Sequence, residues 1–182
     1  IEYAATDDNI SAIYIEPGLI NTSWASIEEI RNSLIRFKES GKPIITYSEI
    51  FTQKAYYLTQ ISDKIYINPE GYFDLRGLSS QLVFFKGALS KLDIQAQIIR
   101  HGKFKSAVEP FTNDKMSPEN KEQYQDMLNS LWNLYVNSTS KNRNISVDSI
   151  NKWADNISVR TSADALRFGL VDGIMYKDEV LD

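Results

Sequence analysis

Residues 43–67, PIITYSEIFTQKAYYLTQISDKIYI, predict a strand, a short helix and a second strand in quick succession. Pro43 to Tyr47 and Lys64 to Ile67 are short apolar runs rich in isoleucine, which is typical of buried strands. Gln53 to Gln60, between them, has the composition of a short helix. Because a helix that joins two buried strands is typical of a crossover connection, this stretch predicts a βαβ unit with parallel strands.

The chain before this stretch repeats the same alternation. Ile10 to Ile15 predicts another buried strand, and Ser26 to Glu39 carries apolar residues at helical spacing. Ser26 and Glu29 have the spacing of a capping box, and Gly41 is placed to end the helix. Strands that alternate with helices in this way predict an α/β fold, a stack of βαβ units with a largely parallel sheet.

The second half of the chain continues the alternation with longer helices. A long helix is expected to start at Ser117, with Pro118 at its first position. The other predicted elements are a helix over Gln81 to Leu92, a strand over Ile94 to Ile99, short helices over Val147 to Ala154 and Ser162 to Phe168, and a closing turn over Gly169 to Gly173. No internal repeat is evident, so we expect one domain over residues 1–182.

Composition excludes several classes of function. The 182 residues have a net charge of −4, which argues against a nucleic-acid-binding surface because such a surface needs a basic stripe. No run approaches the roughly 18 to 20 apolar residues that span a bilayer. Cysteine is absent and histidine occurs once, which argues against a zinc site, and no glycine-rich phosphate loop is present. We therefore expect no cofactor and no metal.

A few polar residues could carry chemistry in principle. His101 is the one histidine available to a catalytic triad, but a partly exposed loop residue is the commoner role for a histidine between a strand and a glycine. Asp63, Asp74, Glu109 and Asp172 could supply a carboxylate pair. Nothing in the sequence brings any two of them together, and solvated surface charges are the simpler interpretation.

Lys105 is the strongest candidate, although a loop lysine is usually a solvated charge. A lysine acts as a general base only when it is neutral, so its pKa must fall through burial or a nearby positive field. Small and apolar residues surround Lys105 in the sequence. If Ser106 to Val108 begin a helical turn, the positive end of that turn lowers the pKa of Lys105 further, and Ser106 could orient the amine.

Residues 103–111, KFKSAVEPF, also resemble a family motif. The segment is similar to the G-x-Y-K-S-A-x-E-P-F motif of the signal peptide peptidase A (protease IV) family, with Phe104 in place of the usual Tyr. Further similar stretches follow in the family's order along almost the whole chain. They are Ser40 to Ile44, Tyr56 to Leu58, Ile67 to Gly71, Asp114 to Pro118 and Ala163 to Asp172.

This resemblance implies a ClpP/crotonase-like fold and a serine protease that uses a Ser–Lys dyad, with Lys105 as the general base. One position departs from the pattern. The family nucleophile is a Ser at the start of a helix, and Gln53 occupies that position here, with Thr52 one residue out of register. The long form of the family has two tandem copies, with the Lys in the first and the Ser in the second. The chain therefore resembles the first copy, and we expect it to be a fragment that carries half of an active site.

The resemblance also implies partners and a location. The substrate would be a cleaved signal peptide, and the nucleophilic Ser would lie on a second domain outside this chain. Backbone amides, in the long form those of the serine-bearing copy, would stabilise the oxyanion, so Glu16-Pro17-Gly18 is assigned no catalytic role. Other protomers of a homo-oligomer would complete the assembly. A segment outside this chain would anchor the protein in the bacterial inner membrane, with the catalytic part on the extracytoplasmic side.

Two alternatives remain open at this point. The domain could be a non-catalytic assembly scaffold in which Lys105 is a structural remnant, or a crotonase-like acyl-CoA enzyme, although the residues after Glu16-Pro17-Gly18 do not supply its first oxyanion turn. A domain with such neighbours is expected to expose an apolar face. The candidates for that face are the stretch around Tyr56 and Tyr57 in the short helix, and the long helix with Trp132 and Tyr135.

Overall fold

The computed structural model describes residues 1–97 and 106–182, which form two units. The first unit comprises residues 1–77 and 135–182, and the second comprises residues 78–134. In chain order the described elements are α1 (Glu2–Thr6), β1 (Ile13–Ile15), α2 (Trp24–Lys38), β2 (Ile44–Phe51), α3 (Gln53–Thr59), β3 (Lys64–Phe73), α4 (Lys86–Lys91), a 3-10 turn (Ser106–Val108), α5 (Glu109–Thr112), α6 (Pro118–Arg143), α7 (Val147–Asp155), α8 (Ser162–Arg167), β4 (Gly173–Ile174) and α9 (Lys177–Leu181).

A parallel sheet in the order β1-β2-β3-β4 organises the first unit. Helix α2 connects β1 to β2 and helix α3 connects β2 to β3, so each connection is a βαβ crossover. Ile13 is aligned with Ile44 across the first strand pair, and Tyr66 is aligned with Gly173 across the last pair. The predicted α/β class, with stacked βαβ units and a parallel sheet, is confirmed.

Two aspartates fix the register where the strands begin. Asp63 accepts a hydrogen bond at 2.8 Å from the backbone N–H of Ile44, the first residue of β2. Asp172 likewise accepts at 2.8 Å from the N–H of Ile65 in β3. In each pair the aspartate's own backbone N–H donates back to the carbonyl of the same strand residue. Since a slip by one residue would break both bonds and turn every side chain to the other face, these pairs specify the alignment.

We expect Asp63 to make part of the stability sensitive to acid. Burial alone would raise the pKa of Asp63, but the hydrogen bonds from Lys38 and from the Ile44 amide outweigh it and hold the pKa below its ordinary value of 3.8. A carboxyl whose folded pKa is depressed contributes stability above its unfolded pKa and loses it as the pH falls through the folded value. Because the side chain is 42% exposed, the effect should not exceed about 1 kcal/mol.

This contribution is measured as the free energy of unfolding between roughly pH 6 and pH 2 for the natural chain and for Asp63→Asn. The asparagine keeps an oxygen acceptor for Ile44 but cannot titrate. The natural chain should therefore lose more stability than Asp63→Asn in the acid limb, below pH 3.8. Equal losses in the two proteins would show that Asp63 has no part in the acid sensitivity.

Aromatic side chains fill the core behind the sheet. Tyr56 and Tyr57 in α3 and Tyr135 in α6 are fully buried. The Tyr56 ring lies 4.7 Å from that of Phe73 and 5.9 Å from that of Phe51, measured between centroids, and its hydroxyl donates to the Leu170 carbonyl at 2.7 Å. The expectation that Tyr56, Tyr57 and Tyr135 contribute to an exposed face is therefore wrong, because these side chains complete the core between sheet and helices.

The boundaries of two predicted elements differ from those observed. Helix α2 begins earlier than predicted, and its N-cap is Ser23, whose hydroxyl oxygen accepts from the Ser26 N–H at 3.1 Å. The capping box assigned to Ser26 and Glu29 is therefore wrong. Strand β3 does not stop before Asn68 but continues to Phe73 across a register shift. Gly71 lies in this continuation, where a Cβ atom would come within 2.8 Å of two backbone carbonyl oxygens.

The second unit departs further from the predicted elements. The helix predicted over Gln81 to Leu92 is present only as α4, which begins at Lys86. Residues 94–97 of the strand predicted over Ile94 to Ile99 have no regular structure, and residues 98 and 99 lie outside the described residues. The long helix α6 follows Ser117 directly, as predicted, with the Ser117 hydroxyl accepting from the Asn120 N–H at 3.2 Å.

Apolar side chains in the second unit are not fully buried. None of its described apolar residues, within 78–97 and 106–134, is fully buried. The large apolar side chains that are exposed there are Val83, Phe85, Leu92, Ile94, Phe111, Met127 and Leu134. Within the described part of the chain, no helix combines the length and the hydropathy needed to cross a membrane.

Candidate active site

The lysine motif begins outside the described residues and continues within them. Lys103, Lys105 and His101 belong to the part of the chain that the structure does not describe, so their roles stay predictions. Ser106 to Val108, directly after Lys105, form a 3-10 turn that leads into α5. The condition considered from the sequence, that a helical turn begins at Ser106, is therefore met.

Glu109 is the buried residue of this motif. It is 2% exposed, and its carboxylate accepts hydrogen bonds from the Ser117 N–H at 3.1 Å, from the Ser117 hydroxyl and from the Asn120 amide at 2.9 Å. Ser117 and Asn120 lie at the start of α6, where the backbone N–H groups have no partner within the helix. Glu109 therefore joins the motif to the beginning of the long helix through charge-assisted hydrogen bonds.

Pro110 and Phe111 hold the other side of the same segment. The Pro110 carbonyl accepts from the Phe85 N–H at 2.6 Å, and the rings of Phe85 and Phe111 stack with centroids 5.9 Å apart. Three consecutive residues of the motif thus make contacts within the second unit. The contacts of Glu109, Pro110 and Phe111 restrict the position of the backbone that follows Lys105.

Gln53 is the first residue of α3 and is largely buried. Its amide nitrogen donates to the Gly77 carbonyl at 2.8 Å, and its amide oxygen accepts from the Gly77 N–H at 3.2 Å. The preceding Thr52 caps the helix, because its hydroxyl oxygen accepts from the Ala55 N–H at 3.2 Å. Both side chains at the position expected for a nucleophile are therefore engaged in local structure.

Replacing Gln53 by Ser is expected to destabilise the chain by about 1–3 kcal/mol, because the two part-buried hydrogen bonds between the Gln53 amide and the Gly77 backbone are lost. The free energy of unfolding, measured by chemical denaturation, tests this expectation. Gln81→Ser, at an exposed position without regular structure, is the matched control and should stay within about 0.5 kcal/mol of the natural chain. If the two variants were equally stable, the hydrogen bonds between Gln53 and Gly77 would not contribute to the stability of the fold.

The turn after β1 borders a small cavity. Glu16, Gly18 and Leu19 line a space of about 130 Å³ together with Ser48, Glu49 and Ile50 from the carboxyl-terminal half of β2. Glu16 is paired with Lys177 at 2.6 Å. The turn connects β1 to α2, as expected from the sequence.

The four candidate carboxylates make separate contacts. Asp63 pairs with Lys38 at 2.8 Å, and Asp74 pairs with Arg76 at 2.6 Å. Asp172 pairs with Arg143 at 2.9 Å. Glu109 is buried, so the interpretation of all four as solvated charges is wrong for this residue. Across residues 1–97 and 106–182, no group of three or more His, Cys, Asp or Glu side chains is arranged to hold a metal ion.

Comparison with known families completes this description. The model of peptidase family S49 matches residues 36–182, which is most of the chain. The chain belongs to peptidase family S49. Its match includes Gln53, the lysine motif and the start of α6.

The S49 relatives are much longer than this chain. Protease 4 of Haemophilus influenzae is 38% identical over 151 residues, which is 82% of this chain and 25% of that protein. Serine protease SPPA, chloroplastic, of Arabidopsis thaliana is 32% identical over 182 residues, which is 98% of this chain and 26% of that protein. The chain thus spans about a quarter of the length of these relatives. Among solved structures, a membrane-bound stomatin-specific protease aligns with a TM-score of 0.49 at 18% identity, covering 99% of this chain and 73% of that one.

Sequence reasoning located the S49 motif but missed how its second half is built. Glu109 was treated as a surface charge, although it stands in the motif beside Pro110 and Phe111. Its partners, Ser117 and Asn120, follow 8 and 11 residues later at the start of a helix. A carboxylate shortly before a predicted helix start with Ser at the N-cap is a signal that could have identified the contact.

Proposed function

We propose that this S49 domain supplies the general base of a Ser–Lys dyad, with the nucleophilic Ser on a second domain outside the chain. The observation that carries the proposal is the structure of the segment that follows Lys105 in the motif. The residues directly after Lys105 form a 3-10 turn, and Glu109 fixes that turn to the start of α6 with three hydrogen bonds. A general base needs a fixed position relative to its proton donor, and an anchored segment meets that need.

In the proposed reaction the Ser hydroxyl attacks the carbonyl carbon of a peptide bond. Neutral Lys105 accepts the hydroxyl proton as the new C–O bond forms, and backbone amides stabilise the resulting oxyanion. Lys105 then delivers the proton to the leaving amine as the C–N bond breaks. A water molecule hydrolyses the acyl-enzyme by the same steps in reverse, which regenerates the Ser. The proposed substrates are cleaved signal peptides.

Gln53 accounts for the division of the site between two domains. A carboxamide does not attack a peptide carbonyl, and both ends of this amide are occupied by Gly77. We therefore propose that the chain is the first copy of a tandem pair and that the serine-bearing copy follows it. The isolated chain should not hydrolyse peptides.

The proposed assembly also needs surfaces for its neighbours. The serine-bearing copy and the other protomers of a homo-oligomer are the proposed partners, and the exposed apolar side chains of the second unit offer contact area for them. A segment outside this chain is proposed to attach the protein to the bacterial inner membrane, with the catalytic part on the extracytoplasmic side.

Hydrolysis of a synthetic signal peptide, followed by mass spectrometry of the fragments, tests the division of the site. The full-length parent protein should cleave the peptide. The 182-residue chain, shown to be folded by circular dichroism, should leave it intact at equal molar concentration. Turnover by the purified chain that survives Thr52→Ala would contradict the proposal.

The contacts of Gln53 also favour a second candidate function. Gln53 stands at the nucleophile position but bonds to the backbone of Gly77. A non-catalytic assembly domain would contain such a structural residue at this position. The two candidates differ in the full-length protein. A scaffold would tolerate loss of the Lys105 amine without a change in the rate of hydrolysis, whereas a base-supplying domain would not.

A further inference from the structure

We infer that Glu109 is a positioning residue for the proposed catalytic base, because its carboxylate anchors the 3-10 turn that directly follows Lys105 in the chain. This inference rests on the proposed function of Lys105. It assigns to Glu109 a role in the rate of the reaction in addition to its role in the fold.

The Glu109 carboxylate is buried. A carboxylate is costly to remove from water unless donors replace the lost hydration. Among the described residues, three donors from two residues at the start of α6 contact the Glu109 carboxylate, and Asn120 is itself 1% exposed. Such a fully surrounded group has little freedom to move, so the backbone of Glu109 is fixed relative to α6.

Glu109 follows Lys105 closely in the chain. Only Ser106, Ala107 and Val108 separate Lys105 from Glu109, and these three residues form the 3-10 turn. Because a 3-10 helix rises about 2 Å per residue, the turn spans only about 6 Å. Because the turn is this short, its three residues cannot compensate for a displacement of Glu109, and the backbone at Ser106 moves with it.

The neighbouring contacts of the segment cannot replace those of Glu109. The stacked rings of Phe85 and Phe111 are both nearly half exposed, and the contact has no preferred direction along the rings. The hydrogen bond from Phe85 to the Pro110 carbonyl fixes one point of the segment only. The Glu109 carboxylate is the buried, directional contact between the motif and α6.

The buried amide of Asn120 distinguishes two substitutions of Glu109. The Asn120 side-chain oxygen has no hydrogen-bond partner among the described residues. In Glu109→Gln, rotation of the Asn120 amide would let that oxygen accept from the new Gln amide nitrogen, while the Gln oxygen accepts from Ser117. Glu109→Ala removes every acceptor at this position. The Gln variant should therefore keep most of the positioning, and the Ala variant should lose it.

The test uses the full-length parent protein and measures kcat, KM and the pH profile of kcat/KM on a signal peptide. Since a displacement of about 1 Å at a reacting group costs up to about 100-fold, Glu109→Ala should lower kcat by about 10- to 100-fold with KM changed by less than about twofold. Its pH profile should shift, because the base titrates in altered surroundings. Glu109→Gln should recover kcat to within about fivefold of the natural protein. Asp114→Ala, an exposed acid of the same segment, is the matched control and should keep the natural kcat.

The outcomes separate this inference from the function on which it rests. A natural kcat and pH profile in Glu109→Ala, with Lys105→Ala inactive, would overturn the role of Glu109 and leave the dyad in place. An active Lys105→Ala would overturn the dyad itself. If Glu109→Ala does not fold, Ser117→Ala decides the question, because it removes one donor to Glu109 and should lower kcat by a few fold. A natural kcat in Ser117→Ala would then count against the inference.

Discussion

Lys105→Ala in the full-length parent protein should lower the rate of peptide hydrolysis by about 100- to 10,000-fold, the usual loss when a general base is removed. The physical reason is that a serine hydroxyl is a poor nucleophile unless its proton is taken as it attacks. The fold should be unchanged, and circular dichroism of the variant checks this. The initial rate of cleavage of a signal peptide measures the effect.

Two further substitutions make the assignment specific. Lys105→Arg keeps the positive charge but should be as inactive as the alanine variant, because a guanidinium stays protonated at any working pH. Lys103→Ala removes a like charge two residues away and should keep most of the activity. Near-natural turnover by Lys105→Arg, or loss of activity only in Lys103→Ala, would make the Ser–Lys assignment wrong.

Tyr56→Ala should lower the free energy of unfolding of the chain by about 3–5 kcal/mol, as for other large aromatic side chains in a core. The ring is fully buried against Phe51 and Phe73, so its removal leaves a cavity, and the Leu170 carbonyl loses its donor. Chemical denaturation of the isolated chain measures the change. An effect of this size would identify Tyr56 as a core residue of this domain and not as a contact for a partner.

Two controls divide this effect into its parts. Tyr56→Phe keeps the ring and removes only the hydroxyl, so it should cost about 1–3 kcal/mol for the unsatisfied Leu170 carbonyl. Tyr3→Ala removes a ring that is 77% exposed and should change stability by less than about 0.5 kcal/mol. If Tyr56→Ala proved as mild as Tyr3→Ala, the ring would not belong to the core.

The sequence was sufficient to predict the first three strands and the helices between them. The strands are short isoleucine-rich runs, and α2 has apolar residues at helical spacing, so local pattern and burial agree. Strand β4 was not predicted because its two residues, Gly173 and Ile174, carry no pattern. Its place in the sheet depends on pairing with Tyr66 and Ile67, which lie far away in the sequence.

Burial was harder to predict than secondary structure. Tyr56 and Tyr57 are adjacent in α3, and adjacent residues of a helix usually do not share a buried face, so an exposed position for at least one of them was reasonable. The structure buries both, because Phe73 of the sheet packs against Tyr56 and Tyr135 of α6 lies beside both rings. The role proposed for Lys105, in contrast, depends on the resemblance of its motif, because no local pattern distinguishes a catalytic lysine from a solvated one.

The bond between Asp172 and Ile65 has a consequence for the order of folding. It joins residues 107 positions apart, so β4 can pair with β3 only after a long loop has closed. Such long-range contacts slow folding, and we expect β4 to join the sheet late. The entropic cost of closure, however, grows only with the logarithm of loop length, and each doubling adds about 0.6 kcal/mol. The part of this loop that lies outside the first unit, residues 78–134, can therefore lengthen or shorten during evolution with little loss of stability in the sheet, whereas residues 135–172 supply core side chains such as Tyr135.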